Sequence, residues 1–225
     1  MSLVRAEGLE KVYRVDHVEI PALRGIDLTI GEGEFLAIAG PSGSGKTTLL
    51  NLIGGLDRPT AGRVFLEGEE ITSLSRARLA ELRLRKIGFV FQAYNLLPVL
   101  TALENVEYVM LLQGVPARER RRRALEILKE VGLEGYADRL PGRMSGGQQQ
   151  RVAVARAIVA RPRLVLADEP TANLDSGTGS ELLDLMRRLN RDHDVTFVFS
   201  THDPLVMERA ERLVRLRDGK IAADG

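Results

Sequence analysis

The stretch GPSGSGKT at residues 40–47 decides the fold of this chain. It follows the apolar run Phe35–Ala39, precedes the helical stretch TTLLNLIGGL, and fits the pattern G-x-x-x-x-G-K-[ST] at each fixed position. Glycines let successive backbone N–H groups converge on an anion, and a helix N-terminus favours negative charge. Lys46 can then reach the β- and γ-phosphates of a nucleotide, and the Thr47 hydroxyl can ligate Mg²⁺. ATPases, GTPases and kinases share this motif.

Short apolar runs flank the motif and predict strands. Buried strands are predicted where hydrophobicity is continuous, as in a parallel sheet covered on both faces: Phe35–Ala39, Ile87–Phe91, Arg163–Ala167 and Val195–Ser200. More peripheral strands are predicted near Val4–Tyr13, Asp27–Ile30 and Arg63–Leu66. The terminal LVRLRDGKIAADG predicts a closing hairpin that turns at Asp218-Gly219.

The middle of the chain is mostly helical in its pattern, from about Ala93 to Ala160. Amphipathic helices are predicted over Thr101–Gln113, Ala117–Val131 and Gly146–Ala160. Strands alternating with helices make the fold class α/β, with a helical lobe inserted between two strand-rich pieces.

Composition excludes several classes of protein. Among 225 residues, Lys plus Arg number 32 and Asp plus Glu 31, so no basic excess favours nucleic acid as a partner. The run RERRRR at 118–123 therefore favours a solvated helix face over a nucleic-acid patch. With 0 Cys, no disulfide or thiolate metal site is expected. Neither a signal peptide nor a membrane-spanning helix is expected. His17 and His193 match no motif and are predicted to be surface residues.

The segment LVLADEP at 164–170 is an apolar strand that ends in two carboxylates. Such a strand places Asp168 at the sheet edge where phosphates bind, where it would hold Mg²⁺ directly or through water. Glu169 points differently and can polarise an attacking water. Guanine specificity in GTPases usually depends on an Asn/Thr-Lys-x-Asp signal, and none of the five lysines follows Asn or Thr. A GTPase is therefore disfavoured.

The stretch MSGGQQQR at 144–151 predicts a second anion-binding helix N-terminus. Ser145 stands at the N-cap position, and the two glycines after it expose backbone N–H groups. One nucleotide rarely needs two phosphate sites in one small chain. Pairing of two chains solves this, since each can lend its second site to the other's phosphate loop.

Together and in this order, these motifs resemble the nucleotide-binding subunit of an ATP-binding cassette (ABC) transporter, over essentially all 225 residues. The resemblance implies one domain, 1–225, with a P-loop NTPase core at 1–92 and 161–225. This core has a mostly parallel sheet, flanking helices and antiparallel N-terminal strands, and a helical subdomain at 93–160 is inserted into it. ATP and Mg²⁺ are the implied cofactors, and a second copy of the chain is an implied partner in an ATP-dependent homodimer.

The resemblance also implies a role for each matching residue. The nucleotide-binding positions are Tyr13, which stacks on adenine, and Gly40, Pro41, Ser42, Gly43, Ser44, Gly45, Lys46, Thr47 and Thr48. The catalytic positions are Lys46, Gln92, Glu169 and His202, and the metal positions are Thr47, Gln92 and Asp168. The signature positions that contact the partner chain's ATP are Ser145, Gly146, Gly147 and Gln148. Asp175 belongs to the loop that crosses the dimer interface.

A narrower resemblance, to the lipoprotein-release and macrolide- or peptide-export branch, lies in residues 54–62, 87–107 and 145–159. It implies export or membrane extraction through a separate permease, with the chain at the cytoplasmic side of the inner membrane and soluble when isolated. The permease would dock near Ala93–Leu103, whose apolar side chains could alternatively pack within the helical lobe. The competing function is that of the cell-division relative, which acts mechanically through a membrane partner. Chromosome-maintenance or translation ATPases need coiled-coil insertions or two cassettes, and neither is seen here.

Overall fold

A computed structural model describes residues 2–16 and 18–225 of the chain, so the prediction for His17 lies outside the described residues. The strands are β1 (Ser2–Val15), β2 (Val18–Gly31), β3 (Phe35–Ala39), β4 (Ala61–Leu66), β5 (Glu69–Glu70), β6 (Ile87–Phe91), β7 (Leu164–Asp168), β8 (Thr196–Thr201), β9 (Arg212–Arg217) and β10 (Lys220–Asp224). The helices are α1 (Lys46–Ile53), α2 (Arg76–Lys86), α3 (Ala102–Leu112), α4 (Ala117–Glu130), α5 (Gly146–Ile158), α6 (Ser176–His193) and α7 (Pro204–Arg209). A 3₁₀ turn covers Pro141–Arg143.

The chain forms two compact units. The first combines Met1–Arg83 with Thr196–Gly225, and the second is Leu84–Val195. The narrower helical subdomain at 93–160 stays a prediction. In the described residues, no helix is both long and apolar enough to cross a bilayer.

The first unit contains antiparallel strands at its N-terminal end and a parallel core. Strands β2, β1, β4 and β5 pair antiparallel in that order. Strand β3 lies between β8 and β9 and runs parallel to both, and β9 and β10 form the closing hairpin. All five residues of β3 are buried, as expected for a strand covered on both faces. Helix α1 packs against β8. The loop before α1 follows β3 directly, so it lies at the carboxyl end of this parallel core.

The second unit is built around a parallel strand pair and packed helices. Strands β6 and β7 pair in register from Ile87↔Leu164 to Phe91↔Asp168, and α5 packs against β6. Helices α3, α4 and α5 pack on one another, and α6 packs on α5. Their core is apolar and includes Val106, Met110, Ala124, Leu128, Val152 and Ala155.

Several arginines of the basic run at 118–123, on α4, contact residues of their own unit. Arg122 pairs with Glu119 and Glu126, each at 2.7 Å. The Arg123 guanidinium donates to the Val159 carbonyl, and that of Arg120 donates to the Val115 carbonyl at 2.7 Å. Arg118, Arg121 and Arg122 are exposed, as predicted for a solvated helix face. His193 is half-buried, and its Nε2 lies 2.8 Å from Glu130 Oε2.

Candidate functional site

The predicted site residues fall into two groups, one in each unit. The first group centres on the N-terminus of α1. Gly45 precedes α1 with φ of 103°, and a Cβ there would lie 2.6 Å from the Ala22 carbonyl oxygen, so only glycine fits. The N-cap provides no side-chain hydrogen bond to the helix. No capping side chain occupies this helix start, and a helix N-terminus favours an anion.

Lys46 and Ser44 give the phosphate loop buried polar groups. Lys46 is 7% exposed, and its Nζ donates to the carbonyls of Gly40 at 2.9 Å and Pro41 at 3.0 Å. The Ser44 hydroxyl is buried and has no hydrogen-bond partner within residues 2–16 and 18–225. The hairpin β9–β10 supports the loop, because Gly219 N–H donates to the Ser44 carbonyl at 3.1 Å. A buried ammonium and an orphaned hydroxyl are suited to a phosphate ligand.

Tyr13 stands on β1 with its ring oriented by two side chains. Its side chain is 37% exposed, its hydroxyl donates to Asp57 Oδ2 at 3.0 Å, and Lys11 Nζ lies 4.9 Å from the ring centroid. Partial burial raises the pKa of Asp57. Hydrogen bonds from Lys11, the Arg58 backbone and Tyr13 together lower that pKa by more than burial raises it, so the pKa of Asp57 lies below its usual range. Asp57 therefore stays ionised and holds the ring in place.

His202 follows β8, next to the strand that leads into the phosphate loop. Ala39 pairs with Thr201 in the parallel register, so Gly40 and His202 leave neighbouring strands at the same edge. His202 is exposed, and Asp203 caps α7 by accepting from Leu205 N–H at 2.9 Å. In the first unit, the structure thus gathers the phosphate loop and His202 at one sheet edge.

In the second unit, Gln92 and Glu169 stand at the ends of paired strands. Phe91 pairs with Asp168, so the two residues follow register partners at the carboxyl edge of β6 and β7. Glu169 has φ of 48°, a left-handed conformation that non-glycine residues rarely adopt. The Asn173 amide donates to the Gln92 carbonyl at 2.9 Å and so links the two segments.

The signature residues begin α5 with a capping box. Ser145 Oγ accepts from Gln148 N–H at 3.3 Å, and Gln148 Oε1 accepts from Ser145 N–H at 3.0 Å. The N–H groups of Gly146 and Gly147 take no part in this box. A Cβ on Gly146 would lie 2.8 Å from the Tyr94 hydroxyl, so the segment after Gln92 packs directly on the helix start.

Asp175 caps α6, a role that the sequence prediction missed. Its Oδ1 accepts from Thr178 N–H at 3.0 Å, and its Oδ2 accepts from the Thr178 hydroxyl at 2.6 Å. These hydrogen bonds lower the pKa of Asp175. The assignment of Asp175 to a dimer interface stays a prediction.

Two further residues of α5 contact the backbone of functional segments, and sequence reasoning passed over both. The Arg156 guanidinium donates to the carbonyls of Asn95 at 2.5 Å and Tyr94 at 2.9 Å. Both acceptors have positive φ, 60° for Tyr94 and 50° for Asn95, and they lie two and three residues after Gln92. Gln150 Nε2 donates to the Pro170 carbonyl at 2.9 Å, beside Glu169. The sequence offers no local signal for either contact, because α5 also contains Gln148, Gln149 and Arg151.

The predicted docking segment 93–103 is only partly exposed. Leu97 is 40% exposed and Val99 81%, whereas Tyr94, Leu96 and Leu100 are half-buried and Leu103 lies in the core. The segment therefore combines packing in its own unit with an apolar surface at Leu97 and Val99.

The residues available for Mg²⁺ fit a metal that arrives with a nucleotide. Thr47 is exposed in the first turn of α1 and offers a hydroxyl, and Asp168 offers a carboxylate at the end of β7. Within the described ranges, no three or more His, Cys, Asp or Glu side chains gather into a metal cage. Mg²⁺ prefers oxygen ligands, keeps several waters and is usually bound by one or two carboxylates plus substrate phosphates.

A helix N-terminus after a glycine-rich loop, a buried lysine and a strand that ends in carboxylates are typical of P-loop nucleotide-binding proteins. The family model described as ABC transporter matches residues 23–172. A solved structure, the dimeric post-hydrolysis state of the ATP-binding cassette MJ0796 bound to ADP and Pi, is 45% identical. It superposes with a TM-score of 0.92 and covers 99% of this chain and 97% of its own.

Curated relatives of this chain point to the same family. An uncharacterized ABC transporter ATP-binding protein of Thermotoga maritima is 54% identical, covering 94% of this chain and 90% of its own. The lipoprotein-releasing system ATP-binding protein LolD of Anaeromyxobacter dehalogenans is 50% identical, covering 99% and 93%. The macrolide export ATP-binding/permease protein MacB of Syntrophobacter fumaroxidans is 48% identical, but this chain spans only 31% of its length.

The chain belongs to the ABC transporter family. It is an ATP-binding and ATP-hydrolysing subunit of the P-loop NTPase fold, with ATP and Mg²⁺ as cofactors. The predicted fold class, activity and cofactors are confirmed, and so is the resemblance to the branch that contains LolD and MacB.

Proposed function

We propose that this ATPase works as a head-to-tail pair of identical chains around two MgATP and drives a separate membrane permease. The permease would export or extract from the membrane a lipoprotein, peptide or macrolide-like substrate. The chain then sits at the cytoplasmic side of the inner membrane through its permease and is soluble when isolated. The names of LolD and MacB and the dimeric state of MJ0796 support this proposal.

The observation that carries the proposal is the difference between the N-termini of α1 and α5. The start of α1 lacks a cap and contains a buried lysine, whereas the start of α5 caps itself through Ser145 and Gln148. The first is built to enclose phosphate within its own chain. The second is stable alone and can present Ser145 and the Gly146 and Gly147 N–H groups to a nucleotide bound by another chain.

In the proposed reaction, Tyr13 stacks on adenine and Lys46 neutralises charge on the β- and γ-phosphates. Thr47, Asp168 and Gln92 would hold Mg²⁺, which supplies positive charge to the phosphate oxygens as the γ-phosphoryl leaves. Glu169 accepts a proton from the water that attacks the γ-phosphate, and His202 contacts that phosphate. The bond from the β,γ-bridging oxygen to the γ-phosphorus breaks as the water oxygen bonds to it, giving ADP and phosphate.

The exposed Leu97 and Val99 support docking of an apolar permease helix near Ala93–Leu103. This segment follows Gln92 directly, and Arg156 holds the carbonyls of Tyr94 and Asn95. A force on the segment from the permease would therefore reach both Gln92 and α5.

Replacing the proposed base tests the reaction. Glu169→Gln keeps the shape of the side chain but removes the proton acceptor, so ATP hydrolysis is expected to fall by about 10²–10⁴-fold. ATP binding should persist, and the two-chain form should accumulate on a sizing column in MgATP because the ATP is not cleaved.

The matched control is Glu126→Gln, at an exposed surface ion pair with Arg122. It should hydrolyse ATP at the wild-type rate, because such pairs contribute little. Near-wild-type turnover in Glu169→Gln would remove Glu169 from the role of base.

A further inference from the structure

Gln150 is a fully buried amide on a helix whose other buried residues are mainly apolar. The side chain is 0% exposed, and Val152, Ala153 and Val154 beside it are also buried. Its Nε2 donates to the Pro170 carbonyl at 2.9 Å, and its Oε1 has no hydrogen-bond partner in the described part of the chain. Burying an amide is unfavourable unless it is hydrogen-bonded, so stability alone would favour an apolar side chain here.

The acceptor of that hydrogen bond lies directly after a strained residue. Glu169 has φ of 48°, and the proline that follows disfavours helical backbone conformations at Glu169. Locally, the turn is closed by Ala172 N–H donating to the Glu169 carbonyl at 3.2 Å. A strained conformation persists only where its surroundings fix it, and the Gln150 hydrogen bond holds the carbonyl of Pro170, the residue after Glu169.

The hydrogen bond joins α5 to the turn that follows β7, and both belong to one unit. Helix α5 packs against β6, and β6 pairs with β7, whose last residue precedes Glu169. Gln150 therefore contacts the Glu169 segment from a fixed support, and it reaches the backbone without touching the carboxylate that would do the chemistry.

We propose that Gln150 is a positioning residue for ATP hydrolysis: its amide holds the Pro170 carbonyl, which keeps the Glu169 carboxylate aimed at the attacking water. This inference rests on the proposed function, because it takes Glu169 as the base. A small misplacement of a reacting group is enough to slow an enzyme severely.

The test replaces Gln150 with methionine, which is similar in length but cannot donate the hydrogen bond. We expect kcat of Gln150→Met to fall by about 10–100-fold, while the dissociation constant for MgATP changes less than about twofold. Gln113→Met is the matched control, because Gln113 Nε2 also donates to a backbone carbonyl, that of Leu84, at 2.9 Å. Its kcat should stay within about twofold of wild type.

A double-mutant cycle separates positioning from general structural damage. In the Glu169→Gln background, Gln150→Met should change the single-turnover rate by less than about twofold, because the group being positioned is already gone. An equal loss in both backgrounds, or wild-type kcat in the single variant, would overturn the inference. Near-wild-type turnover of Glu169→Gln alone is a different result, which overturns the proposed base instead.

Gln150→Glu keeps the test decisive if the methionine variant does not fold. Burial favours the neutral acid, which can donate as the amide does, whereas the carboxylate cannot. The ratio of variant to wild-type kcat should therefore rise as the pH is lowered. A ratio that does not change with pH would overturn the role of the donated hydrogen bond.

Discussion

Helices α1 and α5 both begin at glycine-containing motifs, yet their N-termini are completed in opposite ways. At α1, Gly45 supplies no cap and Lys46 is buried against two loop carbonyls. At α5, Ser145 and Gln148 satisfy each other in a capping box. A helix start without a side-chain cap leaves room for an anion, whereas a capped start is stable without one.

Under the proposed function, these two helix starts bind phosphate in different settings. The α1 loop would bind the nucleotide tightly within its own chain, through the buried ammonium of Lys46. The α5 start would only approach a nucleotide held by the partner chain, through backbone N–H groups and one hydroxyl. Variants at the two helices should therefore fail at different steps of one cycle.

The largest effect is expected from Lys46→Ala. Removing the charge next to the β- and γ-phosphates should abolish tight MgATP binding to a single chain, and hydrolysis with it. Calorimetry on the monomer measures this directly. Lys129→Ala, at an exposed lysine of α4, is the control and should bind MgATP normally. If Lys46→Ala binds MgATP as tightly as wild type, the proposal that the α1 start binds phosphate within its own chain is wrong.

Ser145→Arg should abolish hydrolysis while leaving MgATP binding to the monomer intact. A bulky cation in place of the small cap blocks closure on the partner's nucleotide, which a sizing column in MgATP should show as loss of the dimer. Ser145→Ala controls for the lost cap, which costs about 0.5–2 kcal/mol of stability without adding bulk.

Mixing Ser145→Arg with Lys46→Ala creates one composite site in which Lys46 and Ser145 are both intact. Partial recovery of ATP hydrolysis in the mixture would support a site built from Lys46 of one chain and Ser145 of the other. Loss of monomer binding in Ser145→Arg as severe as in Lys46→Ala would place both motifs in one chain's own pocket and refute the head-to-tail arrangement.

A smaller effect is expected at the base-binding end of the first unit. Tyr13→Ala should weaken ATP binding by about 1–3 kcal/mol, the range for stacking of a base on an aromatic ring, with modest discrimination between ATP and GTP. Tyr13→Phe keeps the ring and loses only the hydrogen bond to Asp57, so its dissociation constant should stay close to wild type. An unchanged dissociation constant in Tyr13→Ala would remove Tyr13 from the site.

The buried strands could be predicted because burial on both faces makes them short, continuous apolar runs. The bounds of β3 and β6 match the prediction, and β7 and β8 shift by one residue. Helix α2 was missed, since charged residues dominate it and only Leu79 and Leu82 are buried. Helix α6 was missed as well, because glycines at 177 and 179 weaken its pattern and its cap, Asp175, was assigned to a loop.

The site could be predicted only where chemistry dictates residue type. The phosphate loop and the two carboxylates at the end of β7 have such patterns, because phosphate and Mg²⁺ accept few alternatives. Gln150 and Arg156 act on backbone carbonyls through tertiary contacts, and their acceptors lie 20 residues or more away in the chain. No local pattern encodes a bond of that kind, so only the folded structure reveals it.

The hydrogen bond from the Gly219 N–H to the Ser44 carbonyl connects the phosphate loop to the closing hairpin, although 175 positions separate the two residues. During synthesis, the loop leaves the ribosome long before the hairpin that supports it. Contacts this distant in sequence form late, because they must close a long stretch of chain. The phosphate loop therefore gains this support only after residue 219 has been made, and a chain interrupted before Gly219 lacks it.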